Sequence, residues 1–138
     1  MIEFFSETTF QLNQKETLSQ WISSIISNEG FEEGDITYVF CDDNYLLKLN
    51  QEFLKHDTLT DIISFDNCLG KQINGDIFIS IERVKENATL FKTTFLAELH
   101  RVMIHGIFHF CGYNDKSEEQ IKLMRKKEDF ALQKLLNA

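Results

Sequence analysis

Residues 94–115, TFLAELHRVMIHGIFHFCGYND, decide how the rest of the chain must fold. Phe95, Leu96, Leu99, Val102, Met103, Ile104, Ile107 and Phe108 recur at helical spacing around most of the circumference. A helix from about Thr94 to Cys111 is therefore expected at the centre of the molecule, with its partners packed on more than one side. Two imidazoles, His105 and His109, interrupt that apolar surface. Residues i and i+4 share a helix face, so both rings can present a nitrogen to one ion at the bond length of about 2.0–2.1 Å that zinc takes. Gly112 supplies the positive φ that stops a helix, after which the chain can turn back and bring Asp115 to the same point. Two histidines and one carboxylate leave a coordination position open, as in a catalytic site. A histidine pair at this spacing is by itself more often a packed or surface feature. The glycine stop and the acid ten residues after His105 carry the metal reading.

Cys111 lies two residues after His109, about 200° around the helix from it, and is expected to be packed rather than ligating. With Cys41 and Cys68 it makes an odd, widely spaced set without C-x-x-C, which reads as reduced thiols. Position 106 is glycine where the zinc-protease motif H-E-x-x-H carries its general base, which disfavours a peptidase and leaves the base unassigned. Glu98 falls on the His105 face but about 10 Å along the axis, too far for a direct ligand. It is expected either to reach substrate or to pair with Arg101 at i+3.

Outward from this helix, Ile2–Phe5 reads as a short strand and Asn13–Asn28 as an amphipathic helix with Leu18, Trp21, Ile22 and Ile25 on its apolar face. Asp35–Cys41 alternates like a strand. Asp42 or Asp43 then caps a helix running to about Lys55. Asp61–Phe65 and Asp76–Ser80 read as strands joined by a loop containing Gly70 and Gly75, with a helix over 81–90 following. A last helix spans Ser117 to about Leu136, with Ser117 and Gln120 spaced as a capping box. The expected fold is α+β: a small mixed β-sheet covered by helices, with a zincin-like metal-binding helix.

The chain has 138 residues, one domain by size, and 43% hydrophobic residues including 13 phenylalanines, enough for a packed core. No apolar run of about 18 residues occurs and the N-terminus has no signal-type pattern, so a cytoplasmic protein with no membrane association is expected. A net charge of −8 argues against a generic nucleic-acid binder and leaves room for an enzyme that holds RNA at a local basic cleft with a bound cation. Lys122, Arg125, Lys126 and Lys127 read as a solvated helix face, given Glu118, Glu119 and Glu128 beside them, with ribosomal RNA contact as the alternative. His56 and His100 are expected to be exposed, and Tyr113 to be a packed aromatic that fixes the turn. Asp61 and Asp76, at expected strand starts, could orient a histidine or simply form turns.

The run HGIFHFCGYND closely resembles the signature H-G-x-L-H-L-x-G-Y-D-H of the YbeY endoribonuclease and ribosomal RNA maturation factor family. Leu49-Asn50, Phe53, Asp57 and Thr60–Phe65 resemble that family's L-N-x-x-[YF]-R-x-x-D-x-P-T-D-V-L-S-F block, and Gly75–Ser80 its G-D-I-x-I-S strand. Glu98 is similar to the acid that often precedes the signature. The likeness runs in order over about residues 35–116. The family's third histidine is Asp115 here, a competent ligand that widens the plausible metals from zinc toward iron and manganese. Its arginine is Leu54, leaving Lys55 as a point charge without bidentate geometry if a phosphate is bound there. Its proline is Leu59.

The resemblance implies a metal-dependent, single-strand-specific endoribonuclease acting in maturation of the 16S ribosomal RNA 3′ end and in ribosome quality control. It implies one divalent metal, zinc foremost, held by His105, His109 and Asp115, with Lys55 and Glu98 as further catalytic candidates. The expected partners are single-stranded ribosomal RNA and the ribosomal subunit or its proteins, with no organic cofactor. The alternative is a ribosome-associated RNA-binding or assembly factor whose metal is structural. An iron-dependent oxygenase is a weaker third reading, because no residue announces a cosubstrate pocket.

Overall fold

Residues 1–137 of the computed structural model are described here. The order is β1 (Ile2–Ser6), α1 (Lys15–Asn28), β2 (Glu32–Cys41), α2 (Asp43–Leu49), β3 (Ile62–Asp66), β4 (Gln72–Ser80), α3 (Ile81–Leu90), α4 (Phe95–Phe110) and α5 (Glu118–Leu136). The strands form one four-stranded sheet in the order β1-β2-β4-β3. β1 and β4 both run parallel to β2, and β3 closes the edge antiparallel to β4, so the sheet is mixed and the α+β expectation holds. Among the described residues no helix is long and apolar enough to cross a membrane.

Alternation along the strands sorts side chains between two layers. Ile36, Tyr38 and Phe40 of β2 and Ile73, Ile77 and Ile79 of β4 face one side, where buried residues of α1, α3, α4 and α5 complete the larger core. On the other side α2 inserts Leu46 against Cys41 and Ile63. α4 lies directly on the sheet. A Cβ at Gly106 would fall 2.9 Å from Ile77 Cδ1, so glycine sets how closely the helix approaches. The buried Tyr38 hydroxyl donates to the Met103 carbonyl at 2.8 Å, and the Trp21 indole donates to the Ala131 carbonyl at 2.7 Å, tying sheet to α4 and α1 to α5. Asp42, Ser80, Thr94 and Ser117 cap α2, α3, α4 and α5 through their side chains, and Ser117 with Gln120 makes the full capping box.

Two expectations change. Gly75 lies inside β4 rather than in the preceding loop, and glycine is required there because a Cβ would fall 2.5 Å from the Phe110 ring. The helix expected to reach Lys55 ends at Leu49 and passes into a π-helical turn over Asn50–Leu54, stopped by Lys55 at φ 55°. The buried Asn50 causes the reversal: its amide donates to the Thr58 carbonyl at 2.8 Å while its own carbonyl accepts from His56 N–H at 3.1 Å.

Candidate metal centre

His105 and His109 occupy the last two turns of α4, one turn apart, with ring centroids separated by 4.5 Å. Beyond Cys111 the helix stops at Gly112, whose φ of 100° is open to glycine and strained for other residues. The chain then folds back so that Asp115 Oδ2 lies 3.2 Å from His105 Nε2 and 3.3 Å from His109 Nε2. One ligand atom from each of the three residues falls within 4.8 Å of the others.

Each ring is turned toward that point by what its other nitrogen binds. His105 Nδ1 lies 2.6 Å from Glu128 Oε2, and His109 Nδ1 lies 2.9 Å from the Tyr113 carbonyl. Both acceptors hold a proton on Nδ1, so Nε2 is the nitrogen that each ring turns toward Asp115. The donor set therefore fits a divalent ion. A tetrahedral site with bonds of about 2.0–2.1 Å has donor–donor edges of about 3.3–3.4 Å, close to the separations between Asp115 and the two rings.

Glu128 is 5% exposed although it belongs to the helix face read from the sequence as solvated. Its other oxygen accepts from Arg101 Nη1 at 2.9 Å, and Arg101 also donates to Asp129 at 2.7 Å. Burial lowers the proton affinity of His105, but Glu128, Asp115 and Asp61 outweigh it and hold the ring above the usual histidine range. The missed signal was positional: Met124, Glu128 and Ala131 form the buried stripe of α5, so an acid sat in an apolar row. Nothing in the sequence indicates the Tyr113 carbonyl, since any residue supplies one.

A cavity of about 330 Å³ opens beside the ligands, walled by Asp61, Glu98, Arg101, His105, Asp115, Arg125 and Glu128, with Phe91 at its edge. Glu98 is 6% exposed and makes no ion pair with Arg101, whose guanidinium is taken by α5. Burial, and then Asp61, push the Glu98 carboxyl up from its ordinary range. Asp61 is raised likewise by burial, partly offset by His105. It reaches the cavity, but Glu128 is the carboxylate bonded to His105. Asp76 lies within β4 on the face opposite Ile77, away from α4. Lys55 is exposed and is not among the cavity's lining residues, and Leu54 beside it is 44% exposed.

Cys111 is packed against the core, its thiol pushed up to about 12 by burial, and is not part of the ligand group. Tyr113 packs edge-on to Phe108 and donates its hydroxyl to Glu29 at 2.6 Å, and Glu29 also takes Lys127 at 3.0 Å. His56 is exposed as expected. His100 is not: it packs against Trp21, and burial lowers its pKa. Lys122, Arg125 and Lys126 are exposed, Arg125 at the wall of the cavity, whereas Lys127 anchors the turn.

A family model described as endoribonuclease YbeY matches residues 2–136. A protein named endoribonuclease YbeY from Flavobacterium psychrophilum is 57% identical over 129 residues, covering 94% of this chain and 92% of that one. One of the same name from Cytophaga hutchinsonii is 48% identical, covering 95% and 93%. The solution structure of TM1509 from Thermotoga maritima superposes with a TM-score of 0.68 at 26% identity, over 99% of this chain and 93% of the other.

Proposed function

Because the chain belongs to the endoribonuclease YbeY family, we propose that it cleaves single-stranded RNA with the help of one divalent metal, foremost zinc, held by His105, His109 and Asp115. The observation that carries this reading is the pair of second bonds, Glu128 to His105 and Tyr113 to His109, which aim both Nε2 atoms at Asp115. A divalent ion held by these three residues would supply Lewis acidity for a phosphoryl oxygen and would acidify water.

The chain's own groups do the rest. Glu128 and the Tyr113 carbonyl keep the two rings in one tautomer and orientation. Arg101 neutralises Glu128, so the backing carboxylate is held without an unpaired buried charge. Gly106 faces the sheet and cannot carry a base toward substrate. Besides Glu128, which is bonded to His105, the carboxyls that reach the cavity beside the candidate ligands are Asp61 and Glu98, both raised by burial above the ordinary carboxylate range. Asp61 and Glu98 are therefore the residues we would test for proton transfer, while Lys55, expected as a point charge for a phosphate, lies off this cavity.

The same reading assigns the protein to maturation of the 16S ribosomal RNA 3′ end and to ribosome quality control, working in the cytoplasm with the ribosomal subunit. The free cysteines Cys41, Cys68 and Cys111 agree with a reducing compartment. The experiment is cleavage of labelled single-stranded and duplex RNA by protein stripped with a chelator and then reloaded with zinc, manganese or iron. Single-strand cleavage that disappears on stripping and returns on reloading is expected. Cleavage indifferent to chelation contradicts the metal role, and specific ribosome binding without cleavage by any loaded form favours the assembly-factor alternative.

A further inference from the structure

Apart from the carboxyls Asp61 and Glu98, two residues lining the metal cavity neither hold nor orient a histidine nor fill the core: Arg125 and Phe91. The Arg125 side chain is 55% exposed, and it approaches Glu128 Oε1 only to 3.7 Å, an oxygen that Arg101 already holds at 2.9 Å. Its donor fork is therefore largely unspent. Arg101 has no such freedom, being committed to Glu128 and Asp129. Phe91 is 54% exposed, yet its backbone is pinned at the end of α3 by a 2.8 Å bond to the Asn87 carbonyl. Lys92 follows it at φ 56°. A half-exposed aromatic side chain is thus carried at the cavity wall on a fixed backbone.

Acidic side chains outnumber guanidinium groups around the cavity. Asp61, Glu98, Asp115 and Glu128 line it against Arg101 and Arg125, in a chain whose net charge is −8. A phosphate entering this space meets one available guanidinium. The residues at the family's arginine position do not supply another, since Leu54 is apolar and Lys55 lies off the cavity.

We propose that Arg125 and Phe91 together hold single-stranded RNA across the metal ligands, Arg125 by paired N–H donors on a backbone phosphate and Phe91 by stacking on a base. This rests on the endoribonuclease reading and specifies which side chains of this chain bind the strand. It also accounts for strand selection, because a base inside a duplex has no free face to offer Phe91. Both are positioning residues.

The test is binding of a fluorescent single-stranded RNA oligonucleotide and of its duplex, across a salt series, to wild type and to Arg125→Gln, Arg125→Lys, Phe91→Ala and Phe91→Trp. Metal content, KM and kcat are followed on the same preparations. Arg125→Gln is expected to weaken single-strand binding about tenfold and to flatten the slope of log Kd against log salt by about 0.7, the value for one lost phosphate contact. Metal content and kcat should hold while KM rises, and Arg125→Lys should restore the slope but only part of the affinity. Phe91→Ala is expected to weaken single-strand binding about tenfold, within the range of base–aromatic stacking, with duplex binding unchanged and Trp restoring it. Unchanged affinity and slope in Arg125→Gln, or equal losses for single strand and duplex in Phe91→Ala, overturn the proposal while the endoribonuclease reading stands. A wild type that neither binds nor cleaves single-stranded RNA overturns both.

Discussion

His105 and His109 lie one turn apart on the same helix and face the same carboxylate, yet the molecule supports them differently. The inner ring is backed by a buried carboxylate from α5, itself held by Arg101. The outer ring is backed by a backbone carbonyl of the turn that follows α4. A carboxylate partner raises ligand basicity through charge and couples the site to α4–α5 packing. A carbonyl partner fixes orientation only, and depends on the Gly112 turn staying in its left-handed conformation. The inner support is tuned by electrostatics and the outer one by backbone shape.

The largest effects should come from removing either ring. His105→Ala and His109→Ala are each expected to lose bound metal and reduce RNA cleavage to background while circular dichroism shows a retained fold; equal metal content in all three proteins would erase the comparison. Next, Glu128→Gln keeps an acceptor but loses the charge. Metal affinity measured by chelator competition should fall about 10–100-fold, the usual cost of an outer partner. A change under twofold would mean that charge does not distinguish the two rings.

Gly112→Ala acts on the other support. Its positive φ makes the substitution strained by about 1–2 kcal/mol in chemical denaturation, with metal affinity falling less than in Glu128→Gln. A larger metal loss than in Glu128→Gln would reverse the ranking of the supports.

The smallest effect concerns Glu98, beyond both rings. Its folded pKa is raised, so the folded state favours the neutral acid. Stability is then lost as pH rises from the ordinary glutamate value through the raised one. In metal-free protein Glu98→Gln should raise Tm at pH 7.5 and leave it unchanged near pH 4. A Tm lowered at pH 7.5 would show that the charged form is held favourably instead.

How much of this was legible follows the same division. His105, His109, Gly112 and Asp115 lie within one helix end and its turn, so local periodicity and turn chemistry bring them together without knowledge of the fold. Glu128 and Arg101 meet only because α5 packs on α4, a contact that no local pattern encodes. Glu128 therefore looked like one of several surface acids, and Arg101 like a partner for its own neighbour Glu98. His100 was misplaced for a related reason: five residues before His105 it points elsewhere around α4, and that direction is covered by Trp21 of α1. The strand order β1-β2-β4-β3 was also hidden, since local alternation identifies strands and not their neighbours.

One metal held by His105, His109 and Asp115 is expected to carry RNA cleavage. Elemental analysis of wild type and His109→Ala, paired with cleavage of single-stranded and duplex RNA by the same preparations, tests it most directly. One metal per chain in wild type, lost from the variant together with single-strand cleavage, is the predicted result. Metal retained equally by both proteins, or cleavage that survives its loss, would contradict the account.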